Sequence, residues 1–184
     1  KKINFPAVNY VLNKLAKEPV EVKLSSELPL GCGFGISGAS ALASSYAVNK
    51  LFRLKKSKKE LAFIAHMADV VSLSGLGDVI NQYFGGFLVK RKSSCKFKAI
   101  KIPIRDKSVY CRYFGPIDKK AIISKNYKKI NDAGIKALNK IKNLNKKDLD
   151  LADLIKISKE FSIASGLLKD RKVVGTIKNI EKDN

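Results

Sequence analysis

The sequence predicts an α+β chain, helical near both ends with short strands between. Three observations predict it. Helix-spaced apolar stripes recur early and late in the chain. Alternating β-branched and aromatic residues cluster between Gly85 and Tyr113. A glycine-rich run, Pro29 to Ser40, joins a short alternating segment to a helix of small residues.

Taken in order, a first helix is expected over Phe5 to Lys17. A strand is expected at Pro19 to Ser25, where Val20, Val22 and Leu24 alternate. The glycine run follows, then a helix from Ser37 to Phe52 with Ser37 placed to cap it. Another helix runs from about Lys58 to Val71. Gly85 to Lys92, Lys96 to Ile104 and Ser108 to Tyr113 read as strands. The remainder reads as helix: Ile130, Ala133, Ala137, Leu138 and Ile141 form one stripe, and Leu151, Leu154, Ile155, Ser158 and Phe161 another. No repeat or low-complexity linker breaks the chain, and a domain boundary is placed near Ser93-Ser94.

The 184 residues suit one or two small domains. No apolar run is long enough to span a membrane, and there is no signal-peptide pattern. Cys32, Cys95 and Cys111 are odd in number and lack metal spacing, so they read as reduced thiols of a cytoplasmic protein. One histidine excludes a multi-histidine metal site. A formal charge of +21 favours polyanions such as nucleic acid. Yet the lysines are spread along the whole chain, many on the polar sides of expected helices. No RNP motif, Cys/His finger or aromatic-interleaved basic strip accompanies them. Nucleic acid is therefore not taken as the main partner, and a basic RNA-binding protein stays as the alternative from another class.

Gly31, Gly33 and Gly35 let the backbone turn sharply and lie close to a ligand. A helix N-terminus directly after them offers backbone N–H groups and the positive end of the helix dipole, which suits a phosphate. The plainer alternative is a turn with an N-cap. Neither common phosphate motif fits: the Gly-Lys-Ser/Thr ending of a Walker loop is absent. Gly33-Phe-Gly35-Ile-Ser-Gly38 likewise lacks the acidic residue about 20 positions on that a dinucleotide site wants.

The run does resemble the central motif of the GHMP kinase superfamily, Pro-x-x-x-Gly-Leu-Gly-Ser-Ser-Ala. Pro29, Gly33, Gly35 and Ser37 match it; Phe34, Ile36 and Gly38 replace Leu, Ser and Ala, with Ala39 just after. The form here, Gly-x-Gly-Phe-Gly-x-Ser-Gly-Ala, is most similar to the archaeal pantoate kinases. The likeness continues in order through His66-Met-Ala-Asp69, Ser74-Gly-Leu-Gly-Asp-Val79, Gly85-Gly-Phe-Leu-Val89, Phe114-Gly-Pro-Ile117 and Ala164-Ser-Gly-Leu-Leu168.

The resemblance implies a GHMP-kinase-like two-domain α+β fold. Residues 1–94 would be part of the N-terminal, ribosomal-protein-like ATP-binding domain and residues 95–184 part of the C-terminal domain. It also implies that the chain is incomplete: there is no starting Met, no upstream segment for the family's first motif, and no third glycine motif. This piece by itself need not be active. The implied cofactors are ATP and Mg²⁺, and the implied partner is a small hydroxy acid such as pantoate, phosphorylated in coenzyme A biosynthesis. Another GHMP kinase with a mevalonate-like acceptor is the nearest alternative. No membrane partner is expected, and a homodimer is left open.

Residue by residue, the resemblance puts nucleotide phosphates on Pro29, Gly31, Gly33, Phe34, Gly35, Ser37, Gly38 and Ala39. It puts the metal on Ser37 and Asp69 and the catalytic base on Asp78. The acceptor falls to His66, Lys90 and Arg91. The residues themselves are compatible with these roles and with plainer ones. The helix around His66 is apolar nearly all round, so Asp69 is expected to be buried, which is costly unless a cation or several donors meet it. A structural His66–Asp69 pair, three residues apart on one side of the helix, is the alternative. Asp78 follows a glycine-rich loop and could simply cap a helix. Lys90 and Arg91 are neighbours in a strand, so only one can face the site; both as solvated cations is the alternative. The family usually has Glu where Asp69 stands, Arg where Lys90 stands, and Ser-Thr where Asp118-Lys119 stands. The acceptor is thus less tied to pantoate than the class is tied to kinases.

Overall fold

A computed structural model describes residues 4–75, 77–92, 96–104, 108–144 and 150–182. The chain divides into two compact units, Lys1–Ile104 and Arg105–Asn184. The boundary expected near Ser93-Ser94, and Cys95, lie outside the described residues.

The first unit holds helices α1 (Pro6–Leu15), α2 (Ile36–Leu51), α3 (Lys58–Val71) and α4 (Asp78–Phe84), then strands β1 (Phe87–Val89) and β2 (Ile100–Ile102). Pro6 stands where a helix start tolerates it, because that N–H has no intrahelical partner anyway. Ala7, Val8, Val11 and Leu15 then share the buried face of α1. The middle of α2 is small: Gly38, Ser40, Ala41, Ser44 and Ser45 are buried, and α1 and α3 both pack on it. Ser57 and Glu60 start α3 with a reciprocal capping box: Glu60 N–H donates to Ser57 Oγ at 3.3 Å, and Ser57 N–H donates to Glu60 Oε2 at 2.8 Å. Val79 and Ile80 bring α4 into the same core as Val11, Leu42, Leu61 and Ala65. The strands form one antiparallel pair, with Phe87 opposite Ile102 and Val89 opposite Ile100.

The regular elements among the second unit's described residues are all helices: α5 (Lys119–Lys125), α6 (Tyr127–Asn143), α7 (Leu151–Ala164) and α8 (Arg171–Lys182). α6 and α7 pack together. No helix among the described residues is long and apolar enough to cross a membrane.

The α+β class holds in a helix-rich form, and several local expectations are corrected. Pro19 to Ser25 forms no strand; it is exposed almost throughout, and no strand lies beside it among the described residues. Alternation can mark one face, but a strand needs a neighbour for its backbone groups. Ser108 to Tyr113 fails for the same reason, with Val109 86% and Tyr110 93% exposed. The strand expected from Lys96 starts only at Ile100, because Phe97 sits at φ +45°, a left-handed conformation incompatible with a strand. In α7 the buried positions are Leu154 and Ile157, while Ile155, 55% exposed, and Ser158 point outward. The stripe therefore advances by three residues where four were expected. Finally, Ser37 is not the cap of α2. Gly35 is, at φ +70°, and the helix begins at Ile36.

Candidate active site

The site is built from four pieces of the first unit: the glycine loop with the start of α2, the end of α3, the loop after it, and the start of α4. Gly31, Gly33 and Gly35 all have positive φ (75°, 89° and 70°), so this loop demands glycine at each. Gly35 has no side chain to bond the first-turn amides of α2, which leaves them uncapped by any side chain. Gln82, one turn after Asp78 on α4, donates from Nε2 to Gly35 O at 3.0 Å and fixes the end of the loop.

Because it is not a cap, the Ser37 hydroxyl is available for something else. It donates to Ser74 Oγ at 2.8 Å, and Ser74 Oγ donates to Asp69 Oδ1 at 2.6 Å. This relay ties the start of α2 to the last turn of α3. Asp69 is 0% exposed, as its apolar helix predicts. His66 is 3% exposed, but it makes no pair with Asp69: its Nδ1 has no hydrogen-bond partner, and its ring stands edge-on to Phe97, 6.1 Å between centroids. Burial first, and the charge of Lys90 second, hold the His66 imidazole below its ordinary pKa, which favours the neutral ring.

Asp78 is the first residue of α4. Gly77 occupies the cap position, and no side chain caps the helix. The plain capping role considered for Asp78 is therefore not the one it plays. A Cβ added at Gly75 would fall 2.3 Å from Asp69 Oδ2 and 2.8 Å from Asp78 Oδ2. The two carboxylates thus face the same small space, which stays open only because residue 75 is glycine. Asp78 also borders the glycine loop: its Cβ lies 3.3 Å from where a Cβ on Gly38 would be and 3.5 Å from the corresponding point on Gly35.

The strand expected over Gly85 to Lys92 is only Phe87–Val89, so Lys90 and Arg91 lie just beyond it, and Lys90 reaches this corner. Its Nζ donates to Gly77 O at 3.0 Å. Burial lowers the Lys90 pKa, and the charge of Asp78 works against that shift. Arg91 is half-buried. The structure therefore brings together Gly35, Ser37, Gly38, Asp69, Asp78 and Lys90. Pro29, Gly31, Gly33 and Phe34 form the approach to the helix, and Ala39 closes its first turn by donating to Gly35 O at 3.0 Å. Ser74 and Gly75 were visible only as part of the quoted Ser74-Gly-Leu-Gly-Asp motif. Gln82 and Phe97 carried no signal beyond their type. Leu76 lies outside the described residues.

A hard divalent cation such as Mg²⁺ prefers carboxylate and hydroxyl oxygens. Two carboxylates facing the Gly75 space, with the Ser74 hydroxyl on one of them and the Ser37 hydroxyl on Ser74, are such a donor set. The residues present fit the metal.

Comparison with known proteins agrees with the motifs. The family described as GHMP kinases N terminal domain matches residues 3–86. The chain is 32% identical over 178 residues to the pantoate kinase of Methanocaldococcus jannaschii, covering 93% of this chain and 63% of that protein. It is 29% identical to the pantoate kinase of Methanospirillum hungatei, covering 77% of this chain and 46% of that one. A mevalonate kinase of Thermococcus sibiricus is 32% identical over 103 residues, which is 53% of this chain and 31% of that protein. The chain thus spans between about half and two thirds of the length of the two pantoate kinases. No solved structure matches. Over residues 3–86, where the glycine loop, Asp69 and Asp78 lie, this chain matches the GHMP kinases N terminal domain family.

Proposed function

We propose that the protein is an ATP-dependent kinase that phosphorylates the hydroxyl of a small hydroxy acid, pantoate to 4-phosphopantoate being the first choice. One observation carries the reading. Two carboxylates share the space over Gly75, directly beside a glycine loop that runs into a helix N-terminus. The similarity to two pantoate kinases supports the choice of acceptor, and the similarity to a mevalonate kinase keeps that acceptor as the second.

In this reading the loop and the uncapped amides of α2 bind the nucleotide phosphates. Asp69 and Ser37 would hold Mg²⁺, which when bound would neutralise phosphate charge. Asp78 accepts the proton of the attacking hydroxyl as the new O–P bond forms and the bond from the γ-phosphorus to the β,γ-bridging oxygen breaks, releasing ADP. The Ser37–Ser74–Asp69 relay keeps Asp69 aimed, so little reorganisation remains for the reaction. Arg91 and His66 stand for the acceptor side, Arg91 because a guanidinium can grip a carboxylate with two parallel bonds.

The test is amide exchange in the full-length protein with and without ATP and Mg²⁺. Protection over Gly33 to Ala39 is expected. Protection confined to other segments removes the phosphate-loop reading. ADP release measured with pantoate and with mevalonate then decides between the acceptors.

A further inference from the structure

We infer that Lys90 is a positioning residue, a strut that fixes the start of α4 and so aims the Asp78 carboxylate, and not a ligand of the acceptor. For its consequence in turnover the inference rests on the kinase reading; the strut itself does not.

The geometry is specific. Gly77 O is the first acceptor of α4, taking the Asn81 N–H at 3.3 Å. Lys90 Nζ donates to that same oxygen at 3.0 Å. Asp78 is the next residue, and its carboxylate faces Asp69 over Gly75. Lys90 directly follows β1, whose three residues are paired with β2, so the strut starts from a ribbon held on one side. Ser74 ties the start of the loop before α4 to Asp69, whereas Gly77, next to Asp78, has no side chain with which to fix that end. Lys90 supplies an anchor there from outside the loop.

Helix stability does not explain the placement. A cation at a helix N-terminus opposes the dipole, and half-burying an ammonium adds a desolvation cost. Both are offset here by the Gly77 carbonyl and by the charge of Asp78. The result is a catalytic carboxylate whose direction depends on a lysine 12 positions downstream, beyond the helix it starts. Displacement of a reacting group by about 1 Å can cost on the order of 10²-fold in rate, so loosening this one bond reaches the chemistry.

The experiment compares Lys90→Met, Lys90→Gln and Lys90→Arg in the full-length protein, by amide exchange without ligand and by steady-state kinetics with ATP and pantoate. For Lys90→Met, faster exchange at the Asn81 and Gln82 amides is expected. A fall in kcat of roughly 10-fold to 10²-fold should accompany it, with KM for the acceptor within about twofold. Lys90→Arg, which keeps the cation and the donors, should restore protection and most of kcat. Should the Met variant not fold, Lys90→Gln, still a donor but uncharged, takes its place with the same expected direction. A raised acceptor KM with unchanged kcat and unchanged exchange overturns the inference in favour of direct acceptor binding. Unchanged behaviour on both counts overturns it as well. A wild-type protein with no ATP-dependent turnover on either acceptor would instead sink the kinase reading, and the exchange arm would still decide whether Lys90 braces α4.

Discussion

The first unit buries an aspartate and a histidine in its core; the second buries Ala133, Leu154, Ile157 and a serine whose hydroxyl already bonds its own helix. The contrast extends to whole elements. Each of α1 to α4 buries at least two side chains, whereas α5 and α8 bury none. Taking a carboxylate out of water costs several kcal/mol unless donors or cations meet it. A fold keeps such a group where it does something besides hold the core together. Among the described residues of the second unit no charged side chain is buried; the exposed Lys140–Glu160 pair is typical, and such pairs contribute about 0–1 kcal/mol. On the proposed reading, substitutions in the first unit reach the chemistry, whereas those in the second act on helix packing.

Asp78→Asn should break the comparison most visibly. Asn has the same shape and cannot take the proton, so kcat should fall by roughly 10²–10⁴ with KM little changed. Gly77 already caps α4, so no cap is lost and the unfolding midpoint should stay close to that of wild type. ADP release in the full-length protein with ATP and pantoate measures the first, and thermal unfolding the second. An Asn variant of full activity would leave the paired carboxylates without a catalytic role.

Gly75→Ala comes next. The new Cβ would sit 2.3 Å from Asp69 Oδ2 and 2.8 Å from Asp78 Oδ2. Asp69 cannot simply swing away, because its other oxygen is held by Ser74 at 2.6 Å. Forcing a methyl into a filled space costs about 1–3 kcal/mol. Denaturant unfolding should show that loss, and activity should fall with it because both carboxylates must move. Unchanged stability would mean that the two acids do not share the space over Gly75.

How much of this was legible depends on the range of the interaction involved. α3 could be read to its ends, Lys58 and Val71, because its apolar pattern and the break before it are local. The glycine loop was legible because three glycines in five residues mark a backbone free to take positive φ, as all three do. The burial of Asp69 followed from the apolar helix around it. What the relay does was not legible. Ser37 is a good cap by type, and only the left-handed Gly35 just before the helix shows that the cap is used up and the hydroxyl set free. Its partner Ser74 is 37 positions away, and Gln82 meets Gly35 across 47. No periodicity encodes contacts of that kind. The Val20, Val22, Leu24 alternation failed in the other direction, since a pattern of faces carries no information about whether a neighbouring strand exists.

Gly134→Ala is the smallest expected effect and sharpens the contrast best, because it is the Gly75 substitution made in the other unit. Gly134 lies inside α6, and a Cβ there would meet only Phe161 Cε2, at 3.9 Å, an ordinary contact distance. Nothing has to move. The helix loses its most flexible interior residue, and the chain loses less entropy on folding. Alanine is about 0.8–1.0 kcal/mol more favourable than glycine inside a helix, so stability should rise by up to about that amount. The same methyl group therefore has opposite signs in the two units: destabilising where carboxylates converge, stabilising where a helix runs with room beside it. Denaturant unfolding of both variants against wild type, under one set of conditions, reads the two signs together. A second-unit transition that resolves separately should move up for Gly134→Ala and stay in place for Gly75→Ala. Destabilisation by Gly134→Ala would show that α6 and α7 approach more closely at that point than the 3.9 Å contact allows, and the packing of the second unit would have to be redrawn.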